Sequence, residues 1–113
     1  MLFRSRRKGG AAIGAVIHVD RFGTLITNLT REFVTAGSHI RVGPHDVGTL
    51  SRTFADVRSG QLVAFVGSGG TIEIAARDGS AARVVQQGVG TVVRIEPARA
   101  GSLPTESESA PPP

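Results

Sequence analysis

The chain predicts a small all-β domain, an antiparallel barrel or sandwich with one or two short helical turns. Three observations point there. Apolar and β-branched residues come in short runs, as in Ile13–Val19, Leu62–Val66 and Thr71–Ala76. The runs are separated by turn signals, many of them drawn from the 15 glycines. No long helical period alternates with the strands, which disfavours a doubly wound parallel sheet.

The elements follow in order. Across Ile13–Val19 the alternate residues Ile13, Ala15, Ile17 and Val19 share one face, and His18 points the other way, toward solvent. Gly23 then kinks the chain, and a second strand occupies Phe22–Asn28. Thr30–Ala36 has the length of one helical turn, with Thr30 as N-cap and Gly37 at its end. His39–Val42 and Val47–Leu50 flank the turn dipeptide Gly43-Pro44. Leu62–Val66 is a nearly continuous apolar run, and Thr71–Ala76 alternates with Ile72 and Ile74 inward. Arg77-Asp78-Gly79 turns into a short helix over Ser80–Val84, and Thr91–Ile95 closes the domain. The predicted domain spans 11–97. A basic tail, 1–10, precedes it, and a Pro/Ser/Glu-rich tail, 98–113, follows; both are expected to be disordered.

Composition narrows the function classes. At 113 residues, one domain with a modest core is the default. The absence of cysteine removes disulfides and thiolate metal sites. The three histidines, His18, His39 and His45, match no metal-ligand spacing. The net charge of +4 resides in the tail: Arg4, Arg6, Arg7 and Lys8 carry it, and the other nine bases balance the nine acids. Nucleic acid is therefore not an expected partner, because no folded basic groove is apparent. No run approaches the ~18 apolar residues of a membrane span, and a cytoplasmic location is expected. Gly67-Ser68-Gly69-Gly70 is glycine-rich, but no long helix follows it to build a phosphate loop.

The stretch Val19-Asp20-Arg21-Phe22-Gly23-Thr24-Leu25-Ile26-Thr27-Asn28 carries the most chemistry. It sets a carboxylate, an aromatic ring and small polar groups beside a glycine bend that can re-aim them toward a ligand. With Thr53-Phe54-Ala55-Asp56, Gly67-Ser68-Gly69-Gly70-Thr71-Ile72-Glu73-Ile74-Ala75 and Gly79-Ser80-Ala81-Ala82, in that order, it resembles the C-terminal domain of the S-adenosyl-L-methionine (SAM) hydroxide adenosyltransferases. These SAM hydrolases are related to the fluorinases and chlorinases. The resemblance covers roughly residues 12–96.

The resemblance implies a split active site and no cofactor beyond SAM, the substrate. A larger N-terminal domain activates water against the ribose C5′ of SAM, giving adenosine and methionine. The C-terminal β-domain of a neighbouring subunit in a trimer closes over the ligand. The chain is expected to be that second half without the first, inactive alone, with a separately encoded N-terminal partner or a homo-oligomer as possible assemblies. An alternative is a non-catalytic module for adenine nucleosides or for a protein partner.

Carried over by position, Asp20 would meet the methionine ammonium; as residues alone, it reads equally as a turn carboxylate capping the Gly23 bend. Phe22 and Phe54 would pack on the adenine and sugar, or simply serve as core. Ser68 would bond the methionine carboxylate, or only form a turn. Ala76, Arg77 and Asp78 would offer main-chain groups to the adenine edge. Arg21 and Asn28 read as scaffold, a surface cation and a strand-end turn residue. Thr24 stands where the family usually has Asn, and Gly69 where relatives often have Ser or Arg. Thr24 would still meet the adenine edge, with a shorter hydroxyl in place of a two-way amide, whereas Gly69 removes a side-chain contact to the methionine carboxylate.

Overall fold

The computed structural model describes residues 6–8, 10–50 and 57–98. Within them run eight strands: β1 (Arg6–Lys8), β2 (Ala11–Val19), β3 (Leu25–Thr30), β4 (His39–Val42), β5 (His45–Gly48), β6 (Leu62–Val66), β7 (Thr71–Ala76) and β8 (Val92–Glu96). A 3-10 turn, Arg31–Phe33, follows β3, and one short helix, α1 (Ala81–Val85), follows β7. All ladders between these strands are antiparallel, in the order β5-β4-β8-β2-β3-β7-β6. The two ends of this order meet through a single parallel bridge, Leu50 to Ala64, so the sheet curls into a nearly closed barrel. The expected all-β class therefore holds. The segment 6–8, which the sequence placed in the basic tail, instead runs as a strand along β2.

The core is aliphatic. Leu25, Leu29, Ile40, Ile72, Ile74 and Ile95 are its largest fully buried side chains. Strand alternation places most of them: Leu25, Thr27 and Leu29 point inward from β3, and Ile72 and Ile74 from β7. The predicted face of β2 is corrected. Of the predicted row, Ala15 is buried, but Ile13 is only half-buried and Ile17 is exposed, while Ala12, Gly14 and Val16 of the opposite row are buried. Pairing with β3 explains part of this: Val16 faces Thr27 and His18 faces Ile26, so Ile17 is an extra residue that breaks the alternation.

Two side chains repair the irregular ladders around β3. The β3–β7 register slips between Ile26 and Thr30. There, buried Thr27 donates its hydroxyl to the Ile72 carbonyl (2.7 Å) and accepts the Leu29 N–H (3.2 Å). Asn28 Oδ1 accepts the Ala15 N–H at 3.0 Å. Asn28 is thus an interior strand residue joining β2 to β3, not a turn residue, although its role is structural as expected. Gly14 makes this possible, because a Cβ there would lie 2.3 Å from Asn28 Oδ1 and 2.7 Å from Leu29 Cγ.

Candidate functional site

Residues Asp20–Thr24 form a tight hairpin turn that reverses the chain between β2 and β3, rather than a kink within one extended path. Asp20 organises it. Its N–H donates to the Thr24 carbonyl (3.1 Å), and its own carbonyl accepts the Gly23 N–H (2.9 Å). Asp20 Oδ1 accepts the N–H groups of Phe22 (2.9 Å) and Thr24 (3.0 Å). Asp20 is thus the turn-capping carboxylate that residue-level reading allowed, with one oxygen committed to the backbone.

The turn is anchored to α1. Gly23 is buried with φ +83, and a Cβ there would fall 1.9 Å from Ser80 Oγ. Glycine is required twice, by the left-handed backbone and by the close approach. The Gly23 carbonyl accepts the Ala82 N–H (2.9 Å), while Ser80 Oγ caps the helix by accepting the Arg83 N–H (3.2 Å). Phe22 cannot turn into the core from this apex. It is 66% exposed, and the Arg21 guanidinium lies 5.0 Å from its ring centroid. A core role for Phe22 is therefore ruled out.

Turn and helix enclose an open groove of about 560 Å³, lined by Asp20, Arg21, Phe22 and Gly23 on one side and Gly79, Ser80, Arg83 and Val84 on the other. Of the residues singled out in the sequence, Asp20 and Phe22 line it and Thr24 adjoins it, half-buried, with both main-chain groups bound to Asp20. Asp78 precedes Gly79 at an exposed apex with φ +58. Ala76 is buried in the β6–β7 ladder opposite Leu62. The Arg77 main chain is already used, its N–H donating to Gln61 O (3.0 Å) and its carbonyl accepting the Gly60 N–H (2.7 Å). Ser68 is exposed in the β6–β7 turn, at the opposite end of β7 from the groove, about 17 Å of strand away. Phe54 lies outside the described residues. Ser80, Arg83 and Val84 were not read as site residues. The signal for them was present, since a serine before an Ala-Ala helix start marks an N-cap, but only the fold brings that cap to Gly23.

A second polar group lies on the outer face of the β5–β4–β8 sheet. His39 Nδ1 is 3.3 Å from Asp46 Oδ1, and Arg41 is 3.8 Å from Asp46 Oδ2. The Gly48 N–H donates to Asp46 at 2.8 Å; this bond first, then His39 and Arg41, holds the Asp46 carboxyl below the usual carboxylate range. Among the described residues, no group of three or more His, Asp or Glu is placed to hold a metal ion, and no helix is long and apolar enough to cross a membrane.

The family model for the SAM hydroxide adenosyltransferase C-terminal domain matches residues 14–94, which takes in every strand of the barrel except β1, apart from the ends of β2 and β8. The chain belongs to this family. As a SAM hydroxide adenosyltransferase C-terminal domain, it is similar to a curated protein of Thermus thermophilus named (R)-S-adenosyl-L-methionine hydrolase, with 40% identity over 82 residues. That match takes in 73% of this chain and 31% of the relative. Among solved structures it resembles an uncharacterized conserved protein from Thermotoga maritima, with a TM-score of 0.69, 28% identity, and coverage of 85% of this chain and 39% of that one. It also resembles a conserved hypothetical protein from Thermus thermophilus, with a TM-score of 0.66 and 38% identity over 74% of this chain and 34% of that one. The chain therefore spans about a third of the length of the relatives it matches. The Asp20–Thr24 turn and the Gly79–Arg83 segment that form the groove both fall within the family match.

Proposed function

We propose that this domain binds an adenine nucleoside, as the closing wall of a SAM hydroxide adenosyltransferase-type active site. Its ligand would be SAM before the reaction and adenosine after it. The observation that carries this reading is Phe22, a large ring held two-thirds exposed on a turn that is rigidly hydrogen-bonded on both sides. Exposing such a ring leaves apolar area in water, a cost that makes sense when a flat ligand covers it. Asp20 keeps its second carboxylate oxygen for a ligand ammonium, and Thr24 can offer one hydroxyl to a base edge.

Water activation in this reading falls to groups outside the groove, supplied by an N-terminal domain or by a neighbouring subunit. The groove offers no base oriented by a second group toward an open position, since the carboxylate present, Asp20, is engaged by its own turn. The domain's contribution is to bind, orient and exclude water from one side of the nucleoside. Ligand-observed NMR with adenosine and SAM tests the reading. Signal broadening for both, lost in Phe22→Ala, is the expected result. Unchanged ligand signals at millimolar concentration, or equal binding by Phe22→Ala, would remove Phe22 from any nucleoside site.

A further inference from the structure

The groove carries more positive charge than its family assignment uses. Arg21 and Arg83 both line it and both are exposed, against the one carboxylate of Asp20. Neither Arg21 nor Arg83 takes part in the ion pairs His39–Asp46, Arg41–Asp46 or Arg94–Glu96. Asp20 does not neutralise them by contact; its Oδ1 faces the N–H groups of Phe22 and Thr24. Arg21 sits over the Phe22 ring at 5.0 Å, a contact with the π face that uses none of its five N–H donors and leaves them for an oxyanion. Arg83 stands on α1 three residues after Ser80, on the opposite side of the groove.

The loop that the resemblance would use for an anion does not line this groove. Ser68 is at the far end of β7, and Gly69 beside it has no side chain. We infer that the groove recognises an oxyanion on its ligand, a carboxylate or a phosphate, held between Arg21 and Arg83 next to the ring of Phe22. This rests on the nucleoside reading above and adds to it: a nucleoside bearing an anionic group is preferred over adenosine itself. Arg83 is the specificity-determining residue, because α1 fixes its backbone against the Gly23 turn.

Calorimetry or NMR titration with adenosine, adenosine 5′-monophosphate, SAM and inorganic phosphate tests this. The proteins would be the wild type, Arg21→Gln, Arg83→Gln and the control Arg94→Gln, whose side chain pairs with Glu96 outside the groove. The monophosphate should bind the wild type at least about threefold more tightly than adenosine, the worth of one exposed charge pair. Arg83→Gln should erase that advantage, leave adenosine unchanged, and match the effect of high salt. Arg94→Gln should keep it. A SAM affinity that falls with Arg83→Gln identifies the carboxylate as a source of the anion; a fall for the monophosphate alone identifies phosphate. Equal binding of adenosine and its monophosphate, or an advantage that survives both groove variants, overturns the inference and leaves the nucleoside reading standing. Phosphate-dependent shifts at Arg21 and Arg83 with no nucleoside binding would support the anion site and overturn the nucleoside reading.

Discussion

At the scale of single residues, the observed duty of Asp20 in the turn and its proposed duty toward a ligand separate chemically. Its Oδ1 holds the turn through the Phe22 and Thr24 amides, so removing the carboxylate altogether would disturb the groove as well as any ligand contact. Asp20→Asn retains a carbonyl oxygen for those amides and removes the charge. It should weaken SAM more than adenosine, because only SAM carries an ammonium. Equal losses for the two ligands in calorimetry would assign Asp20 to the turn alone. Thr24→Asn tests the neighbouring position. An amide reaches further and donates and accepts at two separate atoms, where a hydroxyl has a single oxygen, so adenosine binding should tighten by about 1 kcal/mol, the net worth of one hydrogen bond. No change in adenosine affinity would remove Thr24 from the base-binding edge.

At the scale of elements, the β2–β3 turn and α1 behave as one unit joined at Gly23. A Gly23→Ala substitution must fit a methyl group 1.9 Å from Ser80 Oγ and force a left-handed φ of +83 on alanine. The expected loss is about 3 kcal/mol of unfolding free energy, read as a lower midpoint in urea. Nucleoside binding should fall with it, because the groove opens when α1 shifts; an unchanged midpoint would contradict the tight docking. The β4–β5 hairpin carries a pH-dependent contribution through Asp46. Its folded-state pKa is lowered, first by the Gly48 N–H and then by His39 and Arg41. A lowered carboxylate stabilises the fold fully above its unfolded value, about 3.9, and that contribution is lost as pH falls through the folded value. Asp46→Asn should therefore be less stable than the wild type near neutral pH, with the difference closing in acid. A difference that widens below about pH 4 would reverse the sign and refute the assignment.

At the scale of the whole molecule, the described residues form a nearly closed barrel with the groove where the β2–β3 turn meets α1. The chain alone should release no adenosine from SAM, because the proposed chemistry needs groups outside the groove. Adenosine production by the purified chain, persisting in Phe22→Ala and Asp20→Asn, would show a reaction that this groove does not run. Most of the architecture was legible locally. Leu62–Val66 and Thr71–Ala76 announced β6 and β7 through apolar content and alternation, and the Arg77-Asp78-Gly79 turn announced α1, which begins one residue later than read because Ser80 is its cap. These signals depend on neighbours within a few residues, which is what a sequence displays. The face of β2 was not legible, because the extra residue at Ile17 appears only once β2 is set against β3. Nor was β1, whose charged residues carry no strand pattern and are ordered by pairing with Ala11–Ile13. The site divides the same way. The sequence by itself determined the all-β class, the family and the presence of Asp20 and Phe22 in a glycine turn. Only the tertiary structure decided that Phe22 faces solvent, that Arg83 joins it across a groove and that Ser68 stands a strand-length away. Those facts depend on which distant segments the sheet register brings together, and register arises from burying many side chains at once rather than from any one stretch of chain.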